Sequence, residues 1–176
     1  MPQSHHHPPT AGDYAPAPRC QLLVIGYGNE MRGDDAAGPM VAREIAACGF
    51  DRIQALPVPL LLPDLALDMA EADKVVFVDA SLRCPGGRIR LSPVVGTSKR
   101  PTLAWPYSPA VISALFEFLH SRRSRSWLLE IPALEFEFGE HLSAPTAAAI
   151  QSAVRLICRW SHVLATRRPE HASILS

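Results

Sequence analysis

Residues 21–48 read QLLVIGYGNEMRGDDAAGPMVAREIAAC. The first five of them, 21–25, are an apolar run that stops at Gly26, the pattern of a strand covered on both faces. From about Gly38 to Cys48 the pattern becomes that of a helix. Pro39 fits its first turn, where no amide hydrogen is needed. Val41, Ile45 and Cys48 share one face, and Gly49 ends the helix. Between strand and helix lie two glycines, Gly26 and Gly28, then Asn29 and the adjacent pair Asp34 and Asp35.

The alternation continues outward. Residues 52–58 predict a second strand, cut by Pro57 and Pro59. Pro63 opens a helix carrying Leu65 and Met69. Residues 74–78, KVVFV, are the clearest strand and deliver Asp79 at its carboxyl end. Cys84-Pro85-Gly86-Gly87 reads as a turn, and Arg88–Leu91 alternates like an exposed or edge strand. A loop rich in Pro, Ser and Thr runs from Ser92 to Tyr107. Ser108 then caps a helix with Pro109 in its first turn. Val111, Ile112, Leu115, Phe116 and Leu119 are its buried stripe. Residues 127–131 form a last strand, and Ser143 caps a helix lined by Ile150, Val154 and Ile157. Strands alternating with helices predict an α/β fold in three layers: a mostly parallel sheet of about five strands, with helices on both faces. The expected organisation is a disordered tail over 1–20, one domain over 21–162, and a second tail over 163–176. In such a fold the working groups sit beyond the carboxyl ends of the strands. Asp35 after the first strand and Asp79 at the end of the central one are then expected to meet in one crevice, with Asp34 beside them.

The bulk properties remove several classes of function. The chain has 176 residues, and its 17 basic and 17 acidic side chains cancel. That balance gives no electrostatic reason for nucleic acid or an anionic membrane as partner. No apolar stretch approaches the roughly 20 residues that span a bilayer. The N-terminus has no apolar core segment, so it is not read as a secretory signal. Cys20, Cys48, Cys84 and Cys158 form no CxxC pair and match no zinc spacing. Reduced thiols and a cytoplasmic location are the expectation. His5, His6 and His7 are read as a solvated tail or a tag remnant, since a floppy tail cannot fix ligand geometry. The basic turn 120–126, HSRRSRS, is read as a solvated loop.

Three chemistries compete for the stretch 26–39. Dinucleotide binding needs G-x-G-x-x-G, but Met31 stands at the third glycine position and two carboxylates occupy the place of the pyrophosphate. A plain helix start explains Asp34, since one aspartate there is stabilising by itself. A second aspartate, with a third at a nearby strand end, adds like-charge repulsion unless a cation or a shared proton relieves it. Carboxylates from two segments facing one cleft answer a divalent cation, a hard one if no imidazole or thiolate joins them.

Four motifs together resemble one family. GYGNEMRGDDAAGPMVA (26–42) resembles the opening of the nickel–iron hydrogenase maturation endopeptidases, with its glycine–any–glycine–asparagine and acidic pair. VVFVDA (75–80) is similar to that family's second acidic motif. LLPDLA (61–66) and IPALEFEFGEHLS (131–143) also fit, and the similarity runs from about Gln21 to Trp160. The resemblance implies an aspartyl-type endopeptidase that clips a C-terminal extension from a nickel-loaded hydrogenase large-subunit precursor. Nickel, or a surrogate divalent metal, arrives with the substrate. The carried-over catalytic and metal-contacting residues are Asp35 and Asp79, with Gly28, Asn29 and Asp34 shaping the loop or holding substrate. The family's third ligand is a histidine ahead of the third helix. This chain reads LAWPY at 103–107, with Trp105 or Pro106 in that place, so it is a divergent member by this resemblance. His120 and His141 are the nearest substitutes. Ala36 also stands where the family has glycine. A non-catalytic maturation or binding protein on the same scaffold is the alternative. Ser81 and Cys84, near Asp79, are read as turn residues rather than nucleophiles, and Glu30 as a solvent-facing loop residue.

Overall fold

Alternate residues of the first strand explain the layering. In β1 (Leu22–Tyr27) the residues Leu22–Gly26 are buried without interruption. Leu22 and Val24 join one apolar cluster, while Leu23 and Ile25 join another on the opposite face. The central β3 (Val75–Ser81) divides in the same way: Val76 and Val78 on one side, Val75 and Phe77 on the other. A strand that is covered on both faces has no polar side to show, which is why its sequence is a continuous apolar run.

The computed structural model describes residues 20–84, 87–96 and 107–166, with side chains as far as 160. The expectations for the tail before Cys20, for Pro85 and Gly86, for Trp105 and Pro106, and for the last ten residues lie outside the described residues. Strands β1, β2 (Ile53–Val58), β3, β4 (Arg90–Pro93) and β5 (Ser126–Pro132) form one sheet in the order β2-β1-β3-β5-β4. All pairings are parallel except β4 with β5. Helices α1 (Ala37–Ala47) and α4 (Ala144–Thr166) cover one face through Val41, Ile45, Ile150, Ala153 and Ile157. On the other face lie α2 (Leu65–Asp68), prolonged by a 3₁₀ turn over Met69–Glu71, and α3 (Pro109–His120). They bury Leu65, Met69, Ile112 and Phe116. The three-layer α/β architecture expected from the sequence is the observed one.

Local chemistry sets the element ends. Ser108 accepts a hydrogen bond from the Val111 amide and Pro109 opens α3, as the sequence predicts. The Ser143 hydroxyl accepts from the Thr146 amide at the start of α4. Pro57 does not cut β2. The strand runs through it because β2 is an edge strand, where a missing amide leaves no partner unsatisfied.

Two glycines fix the distance between α1 and the sheet. A Cβ on Gly26 would stand 1.9 Å from the Gly38 carbonyl oxygen, and one on Gly38 would stand 2.4 Å from the Tyr27 oxygen and 2.5 Å from that of Val78. At this crossing the helix therefore rests on the backbone of β1 and β3 with no side chain between them, and the turn before α1 is drawn down over the sheet's carboxyl end.

Candidate active site

That turn carries the acidic pair. Gly33–Ala36 is a single 3₁₀ turn leading into α1, and its two aspartates point to different places. Asp35 turns toward the strand ends. The Asn29 amide donates to its Oδ2 at 2.7 Å, while Asn29 Oδ1 accepts from the Met31 amide at 2.9 Å. Gly28 makes this turn possible. Its φ is +145°, and a Cβ would lie 2.0 Å from the Asp35 carbonyl oxygen.

Asp79 comes from the neighbouring strand. Gly26 pairs with Val78, so Tyr27 and Asp79 are the next residues along two adjacent parallel strands. The Tyr27 hydroxyl donates to Asp79 Oδ2 at 2.7 Å. Asp35, Asp79, Tyr27 and Gly28 line one cavity of about 200 Å³, closed on the other side by Pro59, Leu60, Leu61 and Tyr107. The two carboxylates expected to converge therefore share a cavity at the carboxyl end of the sheet. No ion pair reaches either of them among the described residues.

The electrostatics follow from that. Burial raises the Asp79 carboxyl to about 6; the Tyr27 hydrogen bond opposes the rise, and the charges of Asp35 and Glu130 add to it. Burial, and then the charge of Asp79, push the Tyr27 phenol far above its ordinary range, so it stays a proton donor. Glu130 lies opposite Asp79 in the β3–β5 register and is nearly buried. Its own charge is answered by Arg90 of β4, whose Nε donates at 2.6 Å, and by the Ser81 hydroxyl at 3.0 Å. Arg90 thus neutralises the outer carboxylate, and among the described residues no cation pairs with the inner two.

Asp34 is a correction to the sequence reading. It does not share the crevice. It is fully buried and turned toward the segment before α4. Its carboxylate accepts from the amides of Leu134 (2.8 Å), Glu135 (3.1 Å) and Ser143 (2.7 Å) and from the Ser143 hydroxyl (2.8 Å). Burial alone would raise this carboxyl, but the hydrogen bonds from Leu134 and Ser143 outweigh it and hold the group below the usual range. Both oxygens are used in fastening the acidic turn to residues 134–143, so Asp34 shapes the loop.

Neither substitute histidine joins the cavity. His120 ends α3, roughly 16 Å along the helix from Pro109 at about 1.5 Å per residue, and its ring packs 5.0 Å from that of Phe116. His141 is exposed in the segment before α4. Among the described residues no group of three or more His, Cys, Asp or Glu is placed to hold a metal. The segment 97–106, TSKRPTLAWP, contains none of those four residue types. Ser81 donates to Glu130 and accepts from the Arg83 amide, the contacts of a turn residue, and the carboxylate it meets is already paired with Arg90. Burial raises the Cys84 thiol, which disfavours the thiolate a nucleophile needs. Glu30 is exposed as expected and ion-paired with Arg43. Tyr27, Glu130 and Arg90 were not singled out from the sequence. A glutamate inside the apolar run 127–131 was the available signal for Glu130.

A scan against protein-family models finds no match, and neither does a search of curated proteins. Solved structures do match. A NiFe hydrogenase maturation protease from Thermococcus kodakarensis superposes with a TM-score of 0.66 at 18% identity, over 83% of this chain and 95% of that one. A hydrogenase 2 maturation peptidase from a Thaumarchaeota archaeon gives 0.61 at 22% identity, over 81% and 99%. The hydrogenase maturating endopeptidase HybD from E. coli gives 0.61 at 18%, over 82% and 93%. A single α/β layout, with both acidic motifs at the carboxyl end of its sheet, thus accompanies similarity over nearly the whole of those chains, and the fold of this protein is that of the hydrogenase maturation proteases.

Proposed function

We propose that this chain is an aspartyl-type endopeptidase that removes a C-terminal extension from a nickel-loaded hydrogenase large-subunit precursor. The observation that carries the reading is the presence of Asp35 and Asp79 in one cavity with no ion-pair partner among the described residues. Two carboxylates held side by side repel unless a cation or a proton comes between them. Nickel borne by the precursor supplies that charge, and its own thiolate ligands make up for the imidazole this cavity lacks. Asp35 and Asp79 then contact the metal and hold the extension across the cavity. Among the described residues, no helix is long and apolar enough to cross a membrane. The reading goes with a cytoplasmic location.

The test is incubation of the purified protein with nickel-loaded precursor, followed by mass spectrometry of the large subunit. The wild type is expected to yield a shortened product. Asp35→Asn and Asp79→Asn, which keep shape but remove charge, are expected to slow cleavage about 100-fold or more. Unchanged cleavage by either variant removes that residue from the mechanism. The missing imidazole favours a second reading, a protein that binds the precursor without cutting it. Stable association with an intact extension is the result that supports it.

Acidity gives an independent check. Asp79 must be ionised to meet a cation, and its carboxyl sits near pH 6. Cleavage is expected to rise with pH through about 6 and to level off above it. For stability the sign is opposite. The folded chain binds this proton more tightly than the unfolded chain, whose aspartate ionises near pH 4. The contribution of Asp79 to stability therefore falls between about pH 4 and 6.

A further inference from the structure

Tyr27 is a polar group of the cavity that the proposed reaction does not use. Its ring is anchored among the apolar residues around Leu23, Ile25 and Phe77, so the hydroxyl is delivered from a fixed platform. The hydroxyl reaches Asp79 Oδ2 at 2.7 Å from the neighbouring strand. Asp79 stands beside two further carboxylates, Asp35 and Glu130. A carboxylate so placed is driven to turn away toward solvent, and a donor fixed to one of its oxygens opposes that turn. Asp35 is held in the same manner, by the Asn29 amide on its Oδ2. Each acidic group thus has one oxygen tied by a neutral donor from the β1 end of the sheet. Neutral donors orient the pair without cancelling its charge, as a Lys or Arg in the same place would.

We infer that Tyr27 is a positioning residue, whose hydroxyl presents the Asp79 carboxylate to the cation carried by the substrate. The inference rests on the proposed contact between that carboxylate and precursor-borne nickel. It concerns the second layer around the acidic pair, where a lost partner costs about 10–100-fold in metal affinity.

Tyr27→Phe removes the hydroxyl and keeps the ring. The measurement is the ratio of dissociation constants for nickel-free and nickel-loaded hydrogenase large-subunit precursor, taken with the full-length protein. Tyr27→Phe is expected to lower that ratio about 10–100-fold, with affinity for the nickel-free precursor and the unfolding midpoint both kept. Asp79→Asn is expected to lower it as well, and Tyr27→Phe added to Asp79→Asn to change it less than about twofold, because the hydroxyl acts through that one side chain. If wild type discriminates and Tyr27→Phe discriminates equally, the positioning role is overturned while the nickel contact stands. Full additivity of the two substitutions overturns it too. If the wild type binds both precursors alike, the nickel contact itself is wrong and the role of Tyr27 falls with it.

Discussion

Gly26→Ala is expected to cost about 3 kcal/mol or more of folding stability, and to lower the urea unfolding midpoint by about 1–2 M. The added methyl would stand 1.9 Å from the Gly38 oxygen and 2.5 Å from its carbonyl carbon, both backbone atoms, and 2.9 Å from the Ala42 Cβ. A clash with a flexible side chain can be relieved by a rotamer change. This one requires α1 to lift off the sheet, which opens the interface of Val41 and Ile45 with Leu22 and Val24. Total stability of a domain is about 5–15 kcal/mol, so the loss is a large share of the whole. Gly96→Ala is the control. Its nearest contacts are at 3.4 Å, one of them the flexible Glu117 side chain, and the expected change is within about 0.5 kcal/mol. Equal midpoints for the two variants would sink the close-approach argument.

Asp34→Ala is expected to be nearly as damaging, at about 4 kcal/mol, by a different route. Removing the carboxylate strands the amides of Leu134, Glu135 and Ser143, while the Ser143 hydroxyl keeps Thr146 Oγ1 as an acceptor. These bonds are part-buried, and each donor that loses its charged acceptor there costs up to about 1–3 kcal/mol. Asp34→Asn recovers part of this, because one oxygen survives and the other becomes a donor facing donors. Acid titration separates the two effects. The hydrogen bonds hold the folded-state carboxyl below its ordinary value, so its contribution is complete above about pH 4 and lost as pH falls through the depressed value. Denaturation curves should show the gap between wild type and Asp34→Asn closing in that acidic window. A gap that persists would mean the anchorage does not depend on charge.

These two residues show where reading the sequence stops. The layering, the order of helices and strands, and the presence of Asp35 and Asp79 at one end of the sheet were legible because each rests on local pattern plus one rule about strand ends. The role of Asp34 was not, since its donors lie 100 to 109 positions away and the adjacent Asp35 looks identical in sequence. The close packing at Gly38 was not read because the dinucleotide fingerprint directs attention to residue 31, whereas here it occurs at the second residue of α1. Tyr27 was hidden by its position at the tail of an apolar run. Only the register of β1 against β3, which places it beside Asp79, reveals that its hydroxyl has a partner. Pro57 misled in the other direction, because its effect depends on whether the strand lies at the rim of the sheet, and no single stretch of sequence says so.

The anchorage of Asp34 also has a meaning for biosynthesis. A chain leaving the ribosome exposes the amino-terminal half of the crevice, and its glycine-seated helix, long before Leu134 to Ser143 have been made. During that interval the carboxylate is solvated and its turn untethered. The cleft takes its final form only once residues 134–143 have arrived, so a product that stops before them lacks the anchor of its acidic turn.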